Sequence, residues 1–237
     1  MKKNNKPPQS IAEFNVAIHR SKGIGTWRTL YKHFLDKLNI DSIIEVGVGS
    51  LDFLKEISCC RKVAMDAGNS LKEDFKSMDI EFIQADLDKS ELPDPGMFDV
   101  AVCSDVFEHL IYPERTLKYI KDILKEHGFL FSHVPNEYRF LKTLSIMTGL
   151  SEGLYFHKHC EEYNDPHLRR FTKIGFEKFL KREFKYNLFI GDLRYGLVAR
   201  MFKIFHFIPY AVEGGPTFIS TNDKVVFEQL RKIKNEL

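Results

Sequence analysis

Short apolar runs rich in β-branched residues alternate along this chain with stretches whose apolar positions recur every three or four residues. That alternation predicts strands followed by helices, the pattern of an α/β layer fold. Strands are expected at 43–46, 62–66, 80–87, 98–103 and 128–136. Helices are expected at 51–57, where Leu51, Leu54 and Ile57 repeat, and from Pro113, with Leu117, Ile120, Ile123 and Leu124 inward and Gly128 as the closing residue. Upstream, 11–38 reads as helical, with Trp27, Leu30, Tyr31, Phe34, Leu35 and Leu38 on one face. Downstream, Thr172 or a neighbour caps a helix carrying Ile174, Phe176, Phe179 and Leu180. Strands follow at 186–190 and 216–221, and the tail from Lys224 fits strand or helix.

The first strand runs straight into two glycines, in Ile43-Ile44-Glu45-Val46-Gly47-Val48-Gly49. Glycines in a strand-to-helix turn free the backbone and let a ligand lie against it, which makes this a nucleotide site. A dinucleotide fingerprint would need a third glycine at position 52, where Asp52 stands, so NAD is disfavoured. Glu45 adds another negative charge at the mouth of the turn, unfavourable to phosphates and favourable to a cationic ligand. The second strand ends in Asp66, placed to accept hydrogen bonds from both hydroxyls of a ribose. The fourth, a buried apolar run, ends in Ser104-Asp105-Val106-Phe107-Glu108-His109-Leu110, where open α/β sheets place their ligands.

Glu45, Gly47 and Gly49 resemble the acidic-x-Gly-x-Gly motif of class I S-adenosylmethionine (SAM)-dependent methyltransferases, with Leu51 in place of that motif's third glycine. Asp105 to Leu110 resembles the Asp-Val-Leu-Glu-His-Leu of small-molecule methyltransferases of the ubiquinone-biosynthesis type. Val134-Pro135-Asn136 and His167-Leu168-Arg169-Arg170-Phe171-Thr172 are similar to further motifs of the same families. The resemblance covers roughly 43–180. It implies a Rossmann-like three-layer sandwich with a seven-stranded, mostly parallel sheet, SAM as methyl donor, and transfer to an oxygen or nitrogen of a small molecule. It also implies that Arg28 holds the methionine carboxylate, where the helical pattern alone would place Arg28 on a solvated face, and that Asp86 lies near the adenine amino group. The cofactor-side candidates are then Arg28, Glu45, Gly47, Gly49, Asp66, Asp86, Leu87 and Ser104. Leu51 keeps a non-catalytic SAM-fold partner protein as an alternative, and an RNA-modifying methyltransferase is another.

Methyl transfer from a sulfonium is an in-line displacement that asks chiefly for alignment, and for a base where the acceptor must lose a proton. Imidazole suits that task near neutral pH. His109, at the fourth strand's end, and His167 are the candidate catalytic bases, whereas His133 within strand five reads as packing. Between them the strand–helix rhythm lapses over 137–167, an insertion longer than ordinary loops, with Tyr138, Phe140, Tyr155, Phe156 and Tyr163. Such insertions are often lids. His157, His159, Cys160, Glu161, Glu162 and His167 are metal-capable, but their spacing matches no structural zinc pattern, so no metal is expected.

Composition narrows the partners. The 237 residues are 43% hydrophobic and 29% charged, enough for one α/β domain over 21–237 after a loosely ordered leader at 1–20. Thirty-five Lys and Arg against 33 Asp and Glu leave a net +2, which gives no support to nucleic-acid binding over a broad surface. No apolar window reaches a membrane span, and the four cysteines imply no disulfide framework, both consistent with a cytoplasmic location. The apolar and basic segment 196–209 could cover the site, pack on the core, form a dimer face or lie on a membrane surface.

Overall fold

The computed structural model describes residues 26–49, 51–136, 138, 140–150, 167–191 and 215–237. The leader, most of the 137–167 insertion with its His157–Cys160 cluster, and the segment 196–209 lie outside these residues.

Among the described residues the order is α1 (Thr26–Leu35), β1 (Ser42–Val46), α2 (Asp52–Glu56), β2 (Arg61–Asp66), α3 (Lys72–Ser77), β3 (Glu81–Gln84) and β4 (Phe98–Ser104). There follow α4 (Pro113–Asp122), β5 (Leu124–His133), α5 (Phe140–Met147), α6 (Lys173–Leu180), β6 (Tyr186–Phe189), β7 (Thr217–Thr221) and α7 (Lys224–Asn235). The strands form one seven-stranded sheet in the order β3-β2-β1-β4-β5-β7-β6. Every pairing is parallel except those of β7, which runs antiparallel to both β5 and β6. Strand order reverses between β1 and β4, so their carboxyl ends flank the crevice in which such sheets bind ligands.

Because side chains alternate across a strand, each central strand feeds two cores. Ile44, Val46, Ala101 and Cys103 face α4 and α6 through Leu117, Ile120, Phe176 and Phe179. Ile43, Val100 and Val102 face Tyr31 and Phe34 of α1, Phe53 and Leu54 of α2, and Leu230 and Ile233 of α7. This is the expected three-layer sandwich.

Two local expectations change and an open one is decided. Gly128 does not close a helix: α4 ends at Asp122, and β5 begins at Leu124, paired to Phe98, before the register slips and Phe129 pairs with Val100. Lys125, Glu126 and His127 are exposed in that slip, so the sequence there looks like a loop although the backbone is already in the sheet. The insertion, read as lacking regular periodicity, contains α5. The tail is helical, because the Asp223 carboxylate accepts from the backbone N–H groups of Val225 at 2.6 Å and Val226 at 3.4 Å and so caps α7 despite its β-branched start.

Candidate active site

Glu45 projects from β1 toward α1 and is 1% exposed. Its Oε1 accepts from Arg28 Nη2 at 2.7 Å, joining two residues 17 apart in a buried ion pair. Burial pushes the Glu45 carboxyl above the ordinary carboxylate range, and the Arg28 charge and hydrogen bond pull it back. Arg28 also lies 4.5 Å from the Trp27 ring centre, and Trp27 stacks on His133. Glu45 Oε2 is buried and has no hydrogen-bond partner among the described residues.

Gly47 has φ +76° and donates to Met65 O at 2.8 Å, which ties the turn to the end of β2. A Cβ there would lie 2.2 Å from Val106 Cγ2, so glycine lets the loop after β4 close against the loop after β1. Around Gly49 a Cβ would meet open space, leaving backbone accessible on that side. Leu51, standing for the third motif glycine, packs half-buried against the α1-side core. It does not reach within 4 Å of where a Gly49 Cβ would stand, so that side stays open.

At the end of β2, Asp66 Oδ1 accepts from Gly68 N–H at 2.8 Å. Burial raises its carboxyl, and the N–H groups of Gly68, Val48 and Ala67 lower it. Since Val48 belongs to the glycine turn, Asp66 and the turn are neighbours. After β3, Asp86 is exposed and accepts from Asp88 N–H at 3.1 Å, while Leu87 is buried. Ser104 closes β4, its hydroxyl 3.2 Å from that of Tyr31. These cofactor-side candidates lie at the carboxyl ends of β1 to β4 and on the facing helix α1.

The loop after β4 is braced from two sides. Asp88 accepts from the N–H groups of Ile111 at 2.9 Å and Tyr112 at 3.0 Å. Across it, Arg169 N–H donates to Glu108 O at 3.1 Å, and the Arg169 guanidinium donates to Leu110 O and to Ile111 O. Arg169 thereby brings His167 to His109, 58 residues earlier, with ring centres 4.7 Å apart and edge to face. Glu108, 1% exposed, has Oε1 3.9 Å from His109 Nε2. The two catalytic candidates therefore form one cluster on the same loop face.

Residues 44–132 match the model of the methyltransferase-domain family. Over those residues the chain carries a methyltransferase domain. Curated protein sequences contain no match to it. Solved structures share the fold. A SAM-dependent methyltransferase from Clostridium acetobutylicum is 13% identical, with 88% of this chain and 95% of that one covered at a TM-score of 0.54. The plantazolicin methyltransferase BpumL, in complex with S-adenosylhomocysteine (SAH), is 18% identical over 84% and 82% of the two chains at a TM-score of 0.53. The N-methyltransferase NodS from Bradyrhizobium japonicum, also with SAH, is 11% identical over 82% and 85% at 0.51.

This methyltransferase domain fits its cofactor on its own chemistry. The orphaned, buried Glu45 Oε2, the open space at Gly49 and the Asp66 carboxylate supply acceptors and bare backbone. Sequence reasoning missed the Tyr31–Ser104 contact, the fit of Val106 to Gly47 and the role of Asp105. Asp105 has φ +56°, donates its N–H to His133 O at 3.0 Å, and sets its Oδ1 3.4 Å from His133 Nε2. His133 also bonds Thr217 Oγ1 at 2.8 Å through Nδ1. An aspartate at a strand end, tolerant of the left-handed region, was the available signal.

Proposed function

We propose that the domain transfers the methyl group of SAM to an oxygen or nitrogen of a small-molecule acceptor, with Asp66 binding the ribose and the His109–His167 pair facing the acceptor. The observation that carries this reading is the pairing of the two imidazoles on the loop after β4, the same loop whose Val106 packs on Gly47. SAM, when bound, supplies an electrophilic methyl on a sulfonium that is its own leaving group. The chain's part is to hold and orient. Gly47 and Gly49 leave backbone free, Glu45 and Arg28 serve the charged methionine end, and Asp86 and Leu87 serve the adenine. Ser104 forms the wall between cofactor and acceptor, and His109 or His167 takes the proton when the acceptor must lose one. A net charge of only +2 gives no particular support to a polyanionic acceptor.

The test is methyl transfer from labelled SAM to cell-extract fractions separated into metabolite, lipid and RNA pools. Label in the metabolite pool is expected. Label confined to RNA, with binding that falls steeply with salt, would overturn the small-molecule reading. Calorimetry should show SAM or SAH binding and none for NAD or ATP.

Asp66 gives a sharper prediction. Asp66→Ala should weaken SAM binding by about 1.5–3 kcal/mol for each charged hydrogen bond lost, roughly a tenfold loss or more. Its unliganded melting temperature should stay near that of the parent. Unchanged affinity would show that Asp66 only shapes its own turn.

A further inference from the structure

We propose that Glu108, His109 and His167 hold a divalent transition-metal ion on the acceptor side of the site, and that the acceptor is accordingly a molecule presenting a hydroxyl to that ion. The inference rests on the acceptor-side reading above and assigns its substrate class. One potential ligand atom from each of the three residues lies within 4.8 Å of the others. A four-coordinate ion with bonds of about 2.1 Å sets its ligand atoms about 3.4 Å apart, so rotation about side-chain bonds closes what remains. The supports are already fixed. Glu108 and His109 are adjacent on the braced loop, and Arg169 holds its own strand of chain to Glu108 O, Leu110 O and Ile111 O, which carries His167 over His109.

The donor set selects the ion. Two imidazoles and one carboxylate favour zinc, manganese or iron(II) over magnesium and calcium, which prefer all-oxygen surroundings. Three protein ligands with a further position open is the arrangement of catalytic rather than structural centres. Glu108 closes the buried side, while His109 and His167 remain partly accessible and leave the open position toward the acceptor.

A hydroxyl bound at that position becomes more acidic and releases its proton to solvent water. The oxygen's electron pair then forms the O–CH3 bond as the C–S bond of SAM breaks, and that bond's pair stays on sulfur, leaving neutral SAH. His109 and His167 act here as ligands, and no separate base is required.

The experiment is cobalt(II) and zinc titration of the full chain after chelator treatment, read by visible absorption and calorimetry, with SAH binding followed in parallel. One cobalt per chain with d–d bands is expected, zinc should displace it, and magnesium should bind far more weakly. Glu108→Gln, His109→Ala and His167→Ala should each lower affinity about tenfold or more, while SAH binding in the same samples reports that the variants are folded. A cobalt spectrum that survives both histidine substitutions would overturn the proposal, because the ion would then lie elsewhere, as on His157, His159 or Cys160. It also fails if no stoichiometric binding is seen in protein that binds SAH normally; His109 and His167 are then bases. Loss of SAH binding in the parent protein would instead count against the methyltransferase site itself.

Discussion

Replacing Arg28 by methionine is expected to destabilise the fold by about 3–5 kcal/mol, the cost of leaving one member of a buried ion pair alone. Glu45 is 1% exposed, and Arg28 Nη2 at 2.7 Å is its hydrogen-bond partner. Burial already raises the Glu45 carboxyl, and the arginine is the main influence holding it down. Without that cation the folded-state pKa rises further above its unfolded value, so the folded chain binds the extra proton more readily. Stability then falls as pH rises from the ordinary glutamate value through the raised one, and returns as pH is lowered. Urea unfolding of Arg28→Met at pH 5 and pH 8 should show the larger deficit at pH 8. The double variant Arg28→Met/Glu45→Gln should recover much of the loss, since the buried charge is gone. Equal deficits at both pH values, or no recovery, would show that Arg28 contributes by packing on Trp27 rather than by charge.

The second large effect is expected at Gly47. Gly47→Ala places a Cβ at 2.2 Å from Val106 Cγ2 and holds an L side chain at φ +76°. The backbone part costs about 1–2 kcal/mol, and forcing the two loops apart adds about 1–3 kcal/mol. Because those loops border the cofactor crevice, SAM affinity should fall with stability. Val106→Ala removes the colliding methyl and should restore the steric part but not the backbone part, so Gly47→Ala/Val106→Ala should lie between Gly47→Ala and Val106→Ala in melting temperature. A double variant no better than Gly47→Ala would assign the whole effect to the left-handed backbone.

Where a buried strand ends abruptly in polar groups, the position of the candidate site in the fold was legible in the sequence. Val46 passing into Gly47, Met65 into Asp66, and Cys103 into Ser104 each mark the step from core to crevice, and all three fall at the ends of parallel strands. What could not be read depends on contacts without a period. Arg28 and Glu45 are 17 residues apart, and their pairing follows from how α1 packs across β1. The slip between Phe98 and Val100 is a matter of backbone register, and it hides the first half of β5 behind three exposed polar residues. Val225 and Val226 pull the tail toward strand by propensity, and a single side chain, Asp223, decides for helix. His167 was singled out from a motif, but only the reach of Arg169 to two carbonyls shows where it goes.

That reach separates the chemistry of the domain from the length of its largest insertion. The chain leaves β5 after His133 and is fastened again at Arg169, to the loop after β4. A chain segment closed between two such fixed points pays for added length only logarithmically, about 0.6 kcal/mol for each doubling. Residues can therefore be gained, lost or exchanged between the anchors at little thermodynamic penalty while His167 stays beside His109. Sequence change between the anchors therefore leaves the meeting of His109 and His167 untouched, because that meeting is set by the anchor and not by the length of chain before it.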